Sequence, residues 1–244
     1  MEKQEEWFAS WFDTPYYHIL YKHRDFKEAE RFINNLVRHL DLTGDERCLD
    51  LACGKGRHSI FLNELGLDVT GVDLSPNSIA AAKEFENELL RFDVHDMRKP
   101  YRLHAFDVVF NLFTSFGYFD QHEDNLAVVQ SVAEMLKDGG IAVIDFMNVE
   151  KSIANLVPSE TKTIEGIEFS IHRSYDGQYI KKNISFKDNG RSFDFQERVQ
   201  ALRPADFEAL FEKVGLKVKE VFGDFSLRPF NAETSDRLIY ICEK

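Results

Sequence analysis

Cysteine is scarce in this chain of 244 residues, which holds Cys48, Cys53 and Cys242 and no others. An odd count, with no C-x-x-C pair and no Cys or His grouping at metal-ligand spacing, argues against a disulfide framework, a redox pair or a structural metal, and no metal site is assigned. Free cysteine packs as a small hydrophobe, so three buried, reduced thiols are expected. No apolar run reaches the roughly 18 residues of a membrane span, and the opening MEKQEEWFASWF lacks the basic-then-apolar order of a secretory signal. A soluble, cytoplasmic protein that does not engage membranes is expected. Positive charge is also in short supply: 30 Lys and Arg stand against 42 Asp and Glu, a net charge of -12. Binding to nucleic acid depends on cations displacing counterions from phosphates, so no nucleic-acid partner is expected. Internal repeats, low-complexity stretches and long charge runs are missing too, while 43% hydrophobic content is enough for one sizeable core.

What is present is organised around Arg47 to Asp73, RCLDLACGKGRHSIFLNELGLDVTGVD. Cys48 to Ala52 is a short apolar run that stops at Gly54 and Gly56, where a backbone without Cβ atoms can turn tightly against a ligand. Ile60, Phe61 and Leu65 then recur at helical spacing up to Gly66, and Val69, Gly71 and Val72 form a second run closing on Asp73. Strand, glycine loop, helix, strand, acid is half of a nucleotide-binding βαβ fold, in which the terminal carboxylate can accept both ribose hydroxyls.

Two cofactor classes use that arrangement. A dinucleotide site requires a third glycine where the helix presses on the sheet, and Ser59 occupies that position. Asp50, four residues before Gly54, gives instead the pattern D-x-A-C-G-x-G, which resembles the cofactor loop of class I S-adenosylmethionine-dependent methyltransferases. The resemblance implies S-adenosyl-L-methionine as cofactor. Asp50, Ala52, Cys53, Gly54 and Gly56 would form the loop beside its methionyl part, Asp73 would take the ribose, and Leu74 would follow it. In such proteins an N-terminal segment folds over the cofactor, which makes Tyr17, Tyr21 and Arg24, within the aromatic stretch from 7 to 24, candidate contacts to its carboxylate. Asp96 and Met97, after a third strand from Leu89 to Val94, fall where the family addresses the adenine.

Along the rest of the chain, Phe26 to Leu40 is an amphipathic helix, with Ala29, Phe32, Ile33 and Leu36 on one stripe. Ser75 caps a further helix with Pro76 in its first turn. Phe106 to Leu112 reads as a strand buried on both faces, and ligands of open α/β sheets bind outside the carboxyl ends of such strands. By resemblance, Asn111, Leu112 and Phe113 border the methyl donor, while Ser115 and Tyr118 face the acceptor. The N-P-P-Y or D-P-P-Y sequence common there in enzymes acting on amides or bases is lacking, which argues against amino-group methylation of a nucleobase or a protein side chain. His122 to Leu136 reads as a helix ended by Lys137-Asp138-Gly139-Gly140, and Ile141 to Met147 as the fifth strand.

From 159 to 201 the period changes to two, with Asp176-Gly177 and Asn189-Gly190 as hairpin turns. An antiparallel meander is expected there, with Ile167, Phe169, Ile171, Ile184, Phe186, Phe193 and Phe195 on its packed face and His172 and Arg198 on the other. Placed as a cap over the cleft, it would present His172 and Arg198 to the substrate. After Pro204 a helix ends at Gly215 and two last strands follow, Leu216 to Phe222 and Arg237 to Cys242. The expected fold is α/β: a seven-stranded, mostly parallel sheet with helices on both faces, plus the inserted β-meander cap. The domains would be 1-158 with 202-244 for S-adenosylmethionine, including a lid over 1-24, and 159-201 for the cap.

The resemblance implies methyl transfer to a small-molecule acceptor in an apolar pocket. Aminopropyl transfer, which relatives perform with paired acids this loop lacks, and cofactor binding without turnover stay open, because binding and catalysis share Gly54, Gly56 and Asp73. His18, His122 and His172 could take a proton near neutral pH, but no orienting partner is recognisable and no base is assigned. Oligomeric state is not encoded in any of these features.

Overall fold

The structure is a computed structural model that describes residues 6–22 and 26–244. It opens with two short helices, α1 (Trp7–Phe12) and α2 (Pro15–Leu20), and a longer one, α3 (Phe26–His39). The sheet domain follows as β1 (Arg47–Leu51), α4 (Arg57–Glu64), β2 (Asp68–Asp73), α5 (Pro76–Ala82), β3 (Leu90–Val94), β4 (Phe106–Asn111), α6 (His122–Met135) and β5 (Leu136–Met147). Helix α7 (Val149–Ala154) leads to β6 (Ser159–Ile164), β7 (Ile167–Tyr175), β8 (Tyr179–Asp188) and β9 (Arg191–Gln200). The sheet domain then resumes with α8 (Pro204–Val214), β10 (Lys217–Phe222) and β11 (Arg237–Glu243).

Seven strands form one sheet in the order β10-β11-β5-β4-β1-β2-β3, with β11 antiparallel to both neighbours. The chain runs outward from β1 through β2 to β3 and then returns to β4 on the other side of β1, so the order reverses between β1 and β4. At such a reversal the two helical layers diverge and leave a crevice beyond the strand ends. Neighbouring residues of each strand feed different cores. Leu49, Val109, Ile144 and Tyr240 pack under α6 and α8, whereas Cys48, Val69, Val108, Val143 and Ile239 pack under α3, α4 and α5. Both faces are covered, which is why these strands read as continuous apolar runs.

Strands β6 to β9 form a separate antiparallel sheet. Asn189 and Gly190 both adopt left-handed backbone between β8 and β9, the conformation a two-residue hairpin turn requires. The sequence showed three of these strands. The fourth, β6, turns into β7 at Glu165 and Gly166, also both left-handed, and Glu is not a residue that announces such a turn. Two further boundaries differ from the sequence reading. Strand β5 begins at Leu136, carrying Lys137 to Gly140 within the ladder through a register shift, and α7 has no counterpart in the sequence reading. The packed face of the small sheet is covered by α1 and α2: Trp11 and Leu20 share a core with Phe169, Ile171, Ile184 and Phe186, and the Trp11 and Phe195 rings lie 4.4 Å apart. Among the described residues no helix is long and apolar enough to cross a membrane.

Candidate active site

The turn after β1 is built from backbone. The amides of Ala52 and Cys53 both donate to the Val72 carbonyl, at 2.8 and 3.0 Å, so the turn is pinned to the end of β2. Ala52, Gly54 and Gly56 have φ of +65°, +57° and +80°. The two glycines differ in what they face. A Cβ on Gly54 would meet nothing within 4 Å, whereas one on Gly56 would lie 2.6 Å from the Phe92 ring. Gly54 opens onto the crevice; Gly56 lets α4 seat against the sheet. Asp73 closes the turn, its Oδ2 accepting the Gly54 amide and its Oδ1 the Ser75 amide, both at 2.8 Å. Burial pushes the Asp73 carboxyl up from its ordinary value, against the pull of those amides.

Asp50 lies beneath the turn, fully buried, and its Oδ2 accepts the Ser59 hydroxyl at 2.6 Å. Burial raises its pKa to about 6. Burial likewise raises the Cys53 thiol, which lines the crevice in its neutral, weakly nucleophilic form. Among the described residues no group of three or more His, Cys, Asp or Glu could hold a metal ion.

The loop after β4 forms the opposite wall. Phe113 and Thr114 hold left-handed backbone, at φ +65° and +60°, a conformation that costs non-glycine residues of order 1 kcal/mol or more. Asp145, buried on β5, imposes it: its Oδ2 accepts the Phe113 amide at 2.8 Å and its backbone carbonyl the Thr114 amide at 3.0 Å. Arg237 on β11 balances that carboxylate, Nε donating to Asp145 Oδ1 at 2.8 Å and Nη2 to the Thr114 hydroxyl at 2.8 Å. Burial nonetheless raises the Asp145 pKa, and Arg237 opposes the shift.

The N-terminal helices roof the crevice and are tied down at both ends. Asp13 accepts from the Ser75 hydroxyl and from Asn77, backbone at 3.1 Å and side chain at 2.6 Å, directly beside Asp73. Arg98 bridges the Glu6 carboxylate, at 2.7 and 2.9 Å, to Asp96. The Tyr21 hydroxyl contacts both carboxylate oxygens of Glu197 on β9, at 2.6 and 2.7 Å, and Trp11 Nε1 donates to Glu197 Oε1 at 2.8 Å.

Between roof, turn and loop lies a cavity of about 400 Å³. Of the residues singled out in the sequence, it brings together Ala52, Cys53, Gly54, Asp73 and Leu74 from the turn, Asp96 and Met97 after β3, Leu112, Phe113, Ser115 and Tyr118 after β4, and Tyr17 and Tyr21 from α2 and its cap. Arg24 lies outside the described residues. Asp50, Gly56 and Asn111 are not on the cavity wall: Asp50 and Gly56 support the turn from below, and Asn111 donates to the Leu51 carbonyl at 2.9 Å. His172 and Arg198 are not there either. His172 is exposed and bonded to Ser159 at 2.7 Å, and Arg198 pairs with Asp120 over the Tyr179 ring. The alternation that puts Phe195 and Val199 inside turns Arg198 outward, and it is Glu197, in their phase, that faces the roof.

A family model described as a methyltransferase domain matches residues 48–140. YqeM of Bacillus subtilis, a protein provisionally assigned as a methyltransferase, is 31% identical over 209 residues, covering 81% of this chain and 84% of that one. The chain belongs to the class I S-adenosylmethionine-dependent methyltransferases. The glycine/sarcosine N-methyltransferase of Aphanothece halophytica is 28% identical over 237 residues, spanning 91% of this chain and 83% of the relative. The crystal structure of an S-adenosylmethionine-dependent methyltransferase from Clostridium acetobutylicum shares the fold, with a TM-score of 0.78 at 21% identity over 93% of this chain and 95% of that one.

The methyltransferase cavity fits a nucleoside carrying an amino-acid tail. The open face of Gly54 admits close approach, both Asp73 oxygens keep a lone pair beyond the amide each accepts, and the Met97 amide makes no hydrogen bond among the described residues. Several wall residues were not found from the sequence. Phe12, Arg57, His58 and Phe119 line the cavity, with the Arg57 guanidinium 4.7 Å over the Phe113 ring. The signal for Arg57 and His58 was position alone, directly after Gly56. Asp145 carried a stronger one, a carboxylate inside the apolar run of a central strand, which demands a buried partner.

Proposed function

We propose that this methyltransferase transfers the cofactor's methyl group to a small, soluble acceptor held under the N-terminal helices, and that it acts on neither nucleic acid nor membrane. The observation that carries the reading is the roof. Asp13 and Glu6 tie it to the sheet domain at Ser75, Asn77 and Arg98, leaving a chamber between α1, α2 and the Phe113 to Tyr118 loop rather than an open groove for a polymer. The net charge of -12 and the small-molecule acceptor named for the glycine/sarcosine relative support it.

When bound, the sulfonium cofactor would supply an activated methyl group for the acceptor's lone pair, leaving S-adenosylhomocysteine, with the acceptor's proton passing to water. The chain's own work is then positioning, which can contribute roughly 7 to 11 kcal/mol in favourable cases. Asp73 would hold the ribose hydroxyls, Gly54 would pass the methionyl chain, and the Met97 amide would meet the adenine beside the Arg98-bound Asp96. Phe113 and Tyr118, fixed by Asp145 and by the Tyr118 bond to the Thr114 carbonyl, would hold the acceptor in line. Tyr21 contributes a ring to the wall, because its hydroxyl is engaged by Glu197. The four-stranded sheet acts as the cap that carries the roof, and a cytoplasmic setting suits a reaction fed by dissolved metabolites.

Release of S-adenosylhomocysteine tests this, measured with small amines, hydroxy compounds and amino acids against tRNA and protein substrates. Release driven by the small molecules alone is expected. Release that requires the polymers would overturn it.

A further inference from the structure

A second cavity, of about 220 Å³, adjoins the first. Phe12, Phe113 and Tyr118 line both, and the farther wall is made by Met147, Val199, Glu197 and Arg237. Its ions are balanced within the protein. Arg237 is paired with buried Asp145, and Lys182 stands 3.7 Å from Glu197. Each ion of the cavity still has bonding capacity. Arg237 uses Nε and Nη2, while Nη1 makes no hydrogen bond among the described residues. Glu197 Oε1 accepts two donors, Trp11 and Tyr21, whereas Oε2 has Tyr21 at 2.7 Å and Lys182 beyond hydrogen-bond length.

Resting on the methyltransferase reading of the larger cavity, we infer that this second cavity is the acceptor chamber and that it selects a small amino acid, the carboxylate on Arg237 and the ammonium N–H groups toward Glu197, with one ammonium proton passing to water to free the nitrogen lone pair for the methyl. Charge decides the class. A cavity whose ions already cancel accepts a molecule of zero net charge without leaving a buried ion unbalanced, whereas a simple amine cation or a simple carboxylate would bring one unmatched charge into it. The volume falls below the ~300 Å³ at which pockets for drug-sized ligands begin, which suits a small molecule. Guanidinium and carboxylate lining one small chamber supply complementary partners for the two ends of an amino acid.

The test uses the full chain saturated with S-adenosylmethionine, with saturation first verified by calorimetry. S-adenosylhomocysteine release is followed with glycine, alanine, β-alanine and serine, with the matched amines methylamine, ethylamine and ethanolamine, and with acetate and glycolate. Turnover of at least one amino acid is expected, with kcat/KM about tenfold or more above its matched amine. At saturating S-adenosylmethionine, Arg237→Lys, which keeps the charge beside Asp145, and Glu197→Gln, which keeps an acceptor for Trp11 and Tyr21, should each raise KM for that amino acid about tenfold. Equal use of the matched amine, an unchanged KM in both variants, or silence across the amino acids while the cofactor binds would overturn this inference alone. Failure of the wild type to bind S-adenosylmethionine would overturn the underlying reading and this one with it.

Discussion

The carboxylate of Asp73 accepts the backbone amide of Gly54 at 2.8 Å across 19 residues of chain. The end of β2 and the turn after β1 are thereby one unit, and the residue proposed to receive the ribose also shapes the loop proposed to lie beside the methionyl chain. Ser75, bonded to Asp73 through its amide and to Asp13 through its hydroxyl, extends that unit to the roof. Anything that moves Asp73 therefore moves loop and roof together.

The two glycines of the turn should separate stability from affinity. Gly56→Ala drives a methyl to 2.6 Å from Phe92 at a φ of +80°, and overpacking of this kind costs about 1 to 3 kcal/mol, so the melting temperature should fall. Gly54→Ala meets nothing within 4 Å, so its stability loss should be confined to about 1 to 2 kcal/mol of backbone strain at its left-handed φ, while the new methyl occupies space on the cavity wall. Calorimetric titration and thermal melts of both variants should show cofactor affinity lost chiefly in Gly54→Ala. Equal effects on both readouts would contradict the division of roles.

Asp50 should leave a signature in the pH dependence of stability. Burial first of all raises its folded pKa to about 6, above the ordinary value near 3.8, so between those values the native state holds more proton than the unfolded chain. Its contribution is complete below about pH 4 and is lost as pH rises through about 6. Asp50→Asn removes the titration. Urea melts should show wild-type stability, measured relative to Asp50→Asn, increasing by up to about 3 kcal/mol from pH 7.5 to pH 4. Parallel curves would contradict the burial of an ionisable group under the turn.

The four-stranded sheet packs against the roof helices, so its removal is expected to weaken cofactor binding, unlike that of a cap attached at its ends alone. Trp11, 1% exposed, packs on Phe195 and donates to Glu197. Truncating a buried tryptophan costs about 3 to 5 kcal/mol, enough to release α1 and α2 from the sheet. Trp11→Ala, like deletion of residues 159 to 201, should weaken S-adenosylhomocysteine binding about tenfold or more while circular dichroism retains the seven-stranded domain. Unchanged affinity would show that the roof stands without the sheet.

Much of the fold was legible because buried parallel strands leave unbroken apolar runs, as in Phe106 to Leu112, and because Gly54, Gly56 and Asp73 mark a turn that few other residues can make. The strand order, with its reversal between β1 and β4, followed from the family resemblance rather than from any residue pattern. Less legible were features set by tertiary contact. The segment before Phe26 carries no period because α1 and α2 are each 6 residues long and are held by the small sheet rather than by their own stripe. Alternation correctly divided the faces of that sheet, but the wet face, with His172 and Arg198, was assigned to the substrate. The packed face meets the roof, and two of its ionic residues, Lys182 and Glu197, broke the apolar pattern where Trp11 and Tyr21 rest on it. Arg237 gave no signal of its own; only Asp145, buried in β5, implied that a cation had to be near.

The most direct measurement is the calorimetric titration of S-adenosylhomocysteine into wild type and Asp73→Ala. Each hydrogen bond to a charged acceptor contributes about 1.5 to 3 kcal/mol, so the loss of two ribose contacts should weaken binding by at least two orders of magnitude. Equal dissociation constants for the two proteins would contradict the assignment of this cavity to the cofactor.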